Sequence, residues 1–336
     1  MAKKERSFVS NRKQLNIVNS VHMESRIFSD IARWFNRYRP DSWRVAESVN
    51  RMSLTDIYLF NRPHLERRLP RNSVVTVHHD FKDPLHWLDF ERFRKRYEEA
   101  EAIVCLNKSQ KGFLAEKGFK NCIIIPHGCA DAFKRCGSKQ TDSSKLTIGF
   151  ISKRYERLIK GETYFAEILK SLSPEKFDFV FVGEGRLHEA KLAAQLGFSV
   201  RLWEMLPYRL LPHIYEMIDL LLITSTAEGG PASIPEAVAS RTPVIGFEIG
   251  MIKDWIEEAR NGHFLTGSLE LDVSLLNTLA ADGKTLLKGM EEELLLKAGL
   301  VPSWKTTIET YFELFENILS GKQNYNDIAP EKLMEM

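Results

Sequence analysis

Short apolar runs of strand length alternate along the chain with longer stretches in which apolar residues recur at helical spacing. Such runs, bounded by turn residues, indicate strands buried on both faces. They predict strands at residues 15–20, 43–48, 56–60, 73–78, 102–106, 122–126, 146–152, 177–183, 198–203, 219–224 and 243–247. Helices are predicted between them, notably over residues 24–38 and 87–100. This alternation is typical of α/β proteins with doubly wound parallel sheets.

The series of strands is interrupted once, by the polar stretch of residues 136–145, which has no periodicity and several Ser, Thr and Gly residues. A chain of 336 residues is long enough for two domains of ~150 residues each. We therefore predict two Rossmann-like domains, residues 1–140 and 145–320, followed by a tail over 321–336. Ligands of such sheets bind beyond the carboxyl ends of the strands, so the domains should face each other across a ligand cleft.

Composition agrees with a globular protein, since 43% of the residues are hydrophobic and 27% are charged. No apolar run approaches the ~18 residues that would span a bilayer, and the basic start lacks the apolar core of a signal peptide. A cytoplasmic protein is expected. The four cysteines contain no C-x-x-C pair, so reduced thiols are expected, and a metal site among Cys122, His127, Cys129 and Cys136 is disfavoured.

Charge is divided unevenly between the two predicted domains. Residues 1–140 contain 27 Lys and Arg against 16 Asp and Glu, a net charge of +11, and the remainder has a net charge of −9. One interpretation is an anionic partner for the first domain: an anionic membrane met peripherally at the inner face, a phosphorylated acceptor or, less favoured, nucleic acid. The other is attraction between complementary domain faces. The run Arg92–Tyr97 carries much of the positive charge.

The most informative segment is residues 226–250, TAEGGPASIPEAVASRTPVIGFEIG. It follows the predicted strand of residues 219–224, turns at Gly-Gly-Pro and enters a helix predicted over Ser233–Ser240. A loop and a helix N-terminus in this order direct unsatisfied N–H groups and a positive dipole at an anion such as a phosphate. Glu228 in the loop and Glu236, about one helical turn further on, can accept hydrogen bonds from vicinal hydroxyls. The predicted ligand is an anion with sugars at both ends.

The same segment resembles the donor-site signature of the retaining glycosyltransferases of the group-one class, family four of the sequence classification, which have the GT-B fold. The positions in register are Glu228, Gly229, Pro231, Glu236, Ala237, Thr242-Pro243-Val244-Ile245 and Gly250. The chain departs from that pattern at Arg241, where the family usually has Gly, so a residue less tolerant of positive φ must make the turn.

The resemblance implies metal-independent transfer of a sugar from a nucleotide-diphosphate sugar to a hydroxyl acceptor, with retention of anomeric configuration, in glycan or glycolipid assembly. It implies a front-face, oxocarbenium-like displacement in which the departing diphosphate helps to take the acceptor proton. Glu228 would position the donor sugar and Glu236 the ribose diol. The surrounding donor loop would complete the anion site through Gly229, Gly230, Pro231, Ala232 and Ser233.

A second segment, Ile148–Gly161, is similar to the family's loop that ends in Lys-Gly and carries an upstream Arg. Lys160 matches, and the upstream cation is Lys153, Arg154 or Arg157, of which Arg154 is favoured. Two cations would neutralise the diphosphate, a duty that other enzymes give to a divalent metal. The chain has no Asp-x-Asp motif. No cofactor or metal is therefore expected.

Two further positions follow from the resemblance. His78 ends a strand where the family's histidine approaches the transferred sugar, although a structural role is as well supported. Trp203 and Met205 follow a strand where the family contacts the nucleotide base, with core packing as the alternative.

Two other functions remain open. One is a GT-B nucleotide-sugar epimerase, which would release free product without an acceptor. The other is a non-catalytic protein that binds an anionic polymer through its basic first domain, and such a protein would tolerate loss of Glu228.

Overall fold

The structure is a computed structural model and describes residues 12–20, 26–136, 144–281 and 284–322. Twelve strands within these ranges form two sheets, each with six parallel strands. The strands are β1 Lys13–Val18, β2 Trp43–Ser48, β3 Ile57–Phe60, β4 Ser73–Thr76, β5 Ala102–Cys105, β6 Cys122–Ile124, β7 Leu146–Ile151, β8 Phe177–Val182, β9 Ser199–Trp203, β10 Leu220–Ile223, β11 Val244–Gly246 and β12 Gly262–Phe264. The sheet orders are β2-β1-β3-β4-β5-β6 and β12-β11-β10-β7-β8-β9.

Helices connect most successive strands, although no α-helix of the described residues lies between β2 and β3 or between β3 and β4. They are α1 Arg26–Tyr38, α2 Phe90–Glu99, α3 Lys108–Glu116, α4 Asp131–Lys134, α5 Glu162–Ser171, α6 Leu187–Gln195, α7 Leu211–Glu216, α8 Ser233–Ala239, α9 Ile252–Trp255, α10 Leu269–Ala281, α11 Thr285–Lys288, α12 Glu291–Leu300 and α13 Trp304–Leu319. Short 3-10 turns occupy Pro63–Leu65, His86–Leu88 and Tyr208–Leu210. The eleven predicted strands and the predicted doubly wound parallel architecture are confirmed.

Strand β8 shows why apolar runs become central strands. Side chains alternate between the two faces of a strand. Phe177, Phe179 and Phe181 enter the hydrophobic cluster under α5, α6 and α10, whereas Val180 and Val182 enter the cluster under α7 and α8. Both faces are therefore apolar, and the sequence shows a continuous run instead of alternation.

Strand β12 was not predicted. It has only three residues, Gly-His-Phe, and forms at the sheet edge by pairing with β11, from Val244↔Gly262 to Gly246↔Phe264. Its residues contain no apolar run, so its identity depends on the neighbouring strand.

The predicted boundary at residue 320 needs correction, because α13 packs on the first domain. The Phe35 ring lies 5.1 Å from the Tyr311 ring and 5.9 Å from the Phe312 ring, measured between centroids. Trp43 Nε1 donates to Glu316 Oε1 over 2.9 Å. The apolar stripe of α13 completes the first hydrophobic core, so the chain returns to that domain after residue 300.

The two chain crossings between the domains lie side by side. Cys129 N–H donates to the Pro302 carbonyl over 3.0 Å, and Trp304 N–H donates to the Cys129 carbonyl over 3.2 Å. All four cysteines are buried free thiols. Most of the predicted linker, residues 137–143, and the tail from residue 323 lie outside the described residues. Among the described helices, none has the length and apolar character needed to cross a membrane.

Candidate functional site

Lys160 and Gly161 lie in the loop between β7 and α5, at the carboxyl edge of the second sheet. Gly161 has φ 72°, and a Cβ atom there would overlap the Thr224 carbonyl just beyond β10. Thr224 Oγ1 in turn donates to the Lys160 carbonyl over 2.8 Å. Glycine is therefore required both by the left-handed backbone and by the close approach. This contact fixes Lys160 beside the end of β10.

Glu228 and Lys160 form an ion pair. Lys160 Nζ lies 2.6 Å from Glu228 Oε1, and the two side chains are 14% and 8% exposed. Ser225 Oγ donates to the same carboxylate oxygen over 2.6 Å. Gly250, at φ 46°, lies so close to the Glu228 carbonyl that a side chain at residue 250 would overlap it. The predicted sugar-binding carboxylate and the predicted phosphate-binding cation thus share one small site.

The donor loop, residues 228–233, contacts the first domain. A Cβ atom at Gly229 would overlap the His78 carbonyl, so only glycine permits this approach. Glu228 N–H donates to Asp80 Oδ2 over 3.3 Å. The fold therefore brings the predicted donor carboxylate against the strand end that carries His78.

His78 is neutral and has a defined proton position. Its Nε2 lies 2.9 Å from Asn61 Oδ1, while Asn61 Nδ2 donates to Asn19 Oδ1 over 2.9 Å. Because Asn61 Oδ1 is an acceptor, His78 carries its proton on Nε2. Burial, followed by the neighbouring His127, holds the pKa of His78 well below its usual value. His78 can therefore offer a lone pair on Nδ1 but carries no positive charge at neutral pH.

Glu236 lies in α8 and faces Tyr215 of α7. The Tyr215 hydroxyl lies 3.1 Å from Glu236 Oε2, and Glu236 is 3% exposed. Burial raises the pKa of Glu236 to about 8, although hydrogen bonds from tyrosines oppose the shift. The carboxyl group is thus largely protonated at pH 7. The sequence prediction of a charge-assisted bond to a diol requires this proton to leave.

The end of α8 has the hydrogen bonds of a Schellman motif. Thr242 N–H donates to the Ala237 carbonyl over 2.8 Å, and Arg241 N–H donates to the Val238 carbonyl over 3.0 Å. Arg241 has φ 55°, so the position where the resembling family has glycine does adopt the left-handed conformation.

The three candidates for the upstream cation have different partners. Arg154 Nε donates to the buried Glu189 over 2.9 Å, and Lys153 pairs with Glu184. Arg157 Nη1 lies 2.6 Å from both carboxylate oxygens of Asp83 in the first domain. Arg157 is therefore an interdomain contact, and Arg154 remains the favoured prediction.

Arg186 organises the loop that carries Arg154. It is 0% exposed, donates to the Ser152 carbonyl over 2.7 Å and pairs with Glu189 and Glu162 at 3.2 and 3.1 Å. Arg186 was not predicted, although it directly follows the strand-to-helix turn Val182-Gly183-Glu184-Gly185. A charged residue directly after such a turn was the available signal.

Trp203 and Met205 lie at different depths. Trp203 is partly buried and packs against the cluster under α7 and α8, whereas Met205 is 77% exposed. Neither contacts Glu228 or Lys160 among the interactions of the described residues. Their role in binding a base stays a prediction.

Four residues of the site were missed: Asn61, Asn107, Gln110 and Ser225. Asn107 is the N-cap of α3, and Gln110 lies in the first turn of that helix. This Asn-x-x-Gln spacing resembles a capping box, which is a sequence signal for a helix N-terminus. Their contact with Gly229, more than 100 residues away in sequence, has no sequence signal. No group of three metal-ligating side chains occurs in the described part of the chain.

Comparison with known proteins agrees with this geometry. Residues 145–276 match the family model described as Glycosyl transferases group 1. Most of the second domain is thus similar to the group 1 glycosyl transferases. The match contains Lys160, Glu228 and Glu236, all of which were predicted as site residues from the sequence. A search of curated protein sequences finds no match.

Solved structures extend the likeness to the first domain. Sucrose-phosphate synthase from Thermosynechococcus elongatus has a TM-score of 0.69 at 12% identity, covering 92% of this chain and 100% of that one. Anabaena HepE in complex with UDP has a TM-score of 0.68 at 16% identity, covering 91% and 100%. Staphylococcus aureus TarM has a TM-score of 0.62 at 17% identity, covering 77% and 55%, so the chain spans about half of TarM. The two domains together thus have the GT-B fold.

Proposed function

We propose that the protein transfers a sugar from a nucleoside-diphosphate sugar to a hydroxyl acceptor, with retention of configuration and without a metal ion. The observation that carries the proposal is the Lys160–Glu228 pair at 2.6 Å, held against the His78 strand end. A cation and a carboxylate at this spacing can bind the phosphate and the sugar of one donor. Anabaena HepE, of the same fold, has been solved with UDP and with UDP-glucose.

Lys160 would move from Glu228 to the diphosphate when a donor binds. It would then stabilise the negative charge that develops on the leaving diphosphate, in place of a metal. Glu228, still held by Ser225, would accept hydrogen bonds from the sugar's hydroxyls. The neutral His78 would contact the sugar from the first domain without adding charge beside a developing oxocarbenium ion.

Acceptor attack would come from the side of the departing diphosphate, as the resemblance implies. The diphosphate oxygen would then take the acceptor's proton, so no separate protein base is needed. The glycosidic bond to the diphosphate breaks as the bond to the acceptor oxygen forms. We propose glycan or glycolipid assembly as the setting.

The test is a stability screen with nucleoside-diphosphate sugars in the presence of EDTA, followed by detection of sugar transfer. A donor that binds the folded state raises the melting temperature by mass action. We expect one donor class to stabilise the protein and to yield product only when acceptor is added. Product formed without acceptor would instead support an epimerase, and no stabilisation by any donor would contradict the proposal.

We also propose that the basic first domain contacts an anionic membrane surface. Two basic residues of the run Arg92–Tyr97 are not proposed as membrane contacts. Arg96 is buried and donates to the Glu66 and Arg67 carbonyls, and Arg94 pairs with Glu91 and Glu98. Exposed positive charge near α2 comes instead from Arg67, Arg68, Arg71, Arg92 and Lys95.

A further inference from the structure

One main-chain carbonyl of the donor loop, that of Gly229, accepts two side-chain hydrogen bonds from the first domain. Asn107 Nδ2 donates to the Gly229 carbonyl over 2.6 Å, and Gln110 Nε2 donates to the same carbonyl over 3.0 Å. Asn107 is 0% exposed and Gln110 3% exposed. A carbonyl oxygen has two lone pairs, so both amides can be accepted together. Gly229 is the neighbour of Glu228.

Asn107 has two separate tasks. Its Oδ1 accepts the N–H of Gln110 over 2.9 Å and so caps α3, while its Nδ2 reaches the other domain. The cap belongs to the first domain alone. The bond to Gly229 exists only when the donor loop is docked, and a buried amide left without it would be costly.

Gln110 joins the same contact to the strand end that carries His78. Its Oε1 accepts Leu106 N–H over 2.7 Å, which orients the amide. Its Nε2 lies 2.9 Å from the His79 carbonyl and 3.2 Å from the Val77 carbonyl, besides the 3.0 Å to Gly229. One NH₂ group has two hydrogens for these three carbonyls. Gln110 therefore stays satisfied by the strand end if the donor loop leaves, and it can rebind Gly229 when the loop returns.

We propose that Asn107 and Gln110 form an interdomain clamp that positions Glu228 against His78. They are positioning residues, since they hold main-chain groups next to Glu228 and His78 and contact neither the Glu228 carboxylate nor the His78 ring. The inference rests on the proposed function for its effect on activity, but not for its effect on domain docking.

The test compares Asn107→Asp with Asn107→Ala. Asp remains a good helix cap but presents a second oxygen to the Gly229 carbonyl, so it removes the clamp selectively. Ala removes both. Asn107→Ser, which caps well but is too short to reach Gly229, is a second clamp-deficient variant in case Asp fails to fold.

We expect Asn107→Asp and Asn107→Ser to lower kcat about tenfold or more, because Glu228 would no longer be held in its aligned position. Affinity for the nucleoside diphosphate, bound by the second domain, should change little. Small-angle scattering without ligand should show a larger radius of gyration in Asp and Ser than in the wild type, and only Ala should also lose α3 capping stability.

The two proposals can fail separately. If the wild type uses no donor but the radius of gyration is still larger in the Asn107→Asp and Asn107→Ser variants, the proposed function fails and the clamp stands. Wild-type kcat together with wild-type scattering in the Asp and Ser variants would overturn the clamp.

Discussion

Lys160 Nζ lies 2.6 Å from Glu228 Oε1, so the two groups assigned to opposite ends of a donor neutralise each other in the ligand-free protein. Each side chain is largely shielded from water, and either charge alone would be costly there. A donor offers both of them new partners at once, a phosphate for the ammonium and hydroxyls for the carboxylate.

The two glutamates should therefore respond differently to the same substitution. Glu228→Gln should not lower the affinity for the free nucleoside diphosphate, because Glu228 is proposed to touch only the transferred sugar and its loss frees Lys160 for the phosphate, but it should cut sugar transfer. Glu236→Gln should weaken both the affinity for the nucleoside diphosphate and sugar transfer, because Gln, unlike Glu236, has no proton to give up and cannot form the charge-assisted bond to the ribose diol. Isothermal titration beside a transfer assay measures this. Equal loss of nucleotide affinity in the two variants would show that the assignment is wrong.

Glu236 should also make stability depend on pH. Its pKa is raised from 4.5 to about 8, so the unfolded state ionises first as pH rises and stability falls between these values. Glu236→Gln mimics the protonated acid and should remove this loss. We expect the melting temperature of the variant to exceed that of the wild type increasingly from pH 5 to pH 8. A constant difference across that range would contradict a neutral buried carboxyl group.

Arg241 gives a stability test away from the chemistry. Its φ of 55° is strained for any residue with a side chain, and its guanidinium also donates to the Cys136 carbonyl. Arg241→Gly and Arg241→Ala both lose that bond, but only Gly relaxes the backbone. We expect Gly to be more stable than Ala by ~1 kcal/mol, a difference of about 2–4 °C in melting temperature. Equal melting temperatures would mean that the turn changes conformation in one variant.

The membrane proposal predicts salt-sensitive binding to anionic vesicles. Exposed charges are screened over ~8 Å at physiological ionic strength, so co-sedimentation should fall as salt rises. Replacing Arg67, Arg68 and Lys95 with Gln should weaken it more than replacing the exposed Lys170, Lys176 and Lys191 of the second domain. If vesicles do not bind at low salt, attraction between complementary domain faces explains the charge division.

Most of the fold could be predicted because central strands are buried on both faces and leave long apolar runs, as in β8. The second domain's site could be named because its residues lie close together in sequence around two loops. The features that the sequence did not predict share a different cause. The packing of α13, the short β12 and the Asn107–Gly229 bond each depend on partners supplied by distant parts of the chain, and a single sequence carries no sign of them.

The central claim is tested most directly at Lys160, by measuring release of nucleoside diphosphate from the stabilising donor in the presence of acceptor and EDTA. Lys160→Ala should lower turnover by ~10²-fold, the size expected for one lost partner of developing charge. The matched control is Lys305→Ala, an exposed lysine paired with Glu309, and it should retain wild-type turnover. Wild-type turnover should be unchanged by EDTA. Full activity of Lys160→Ala, or a strict need for added magnesium or manganese, would contradict the account.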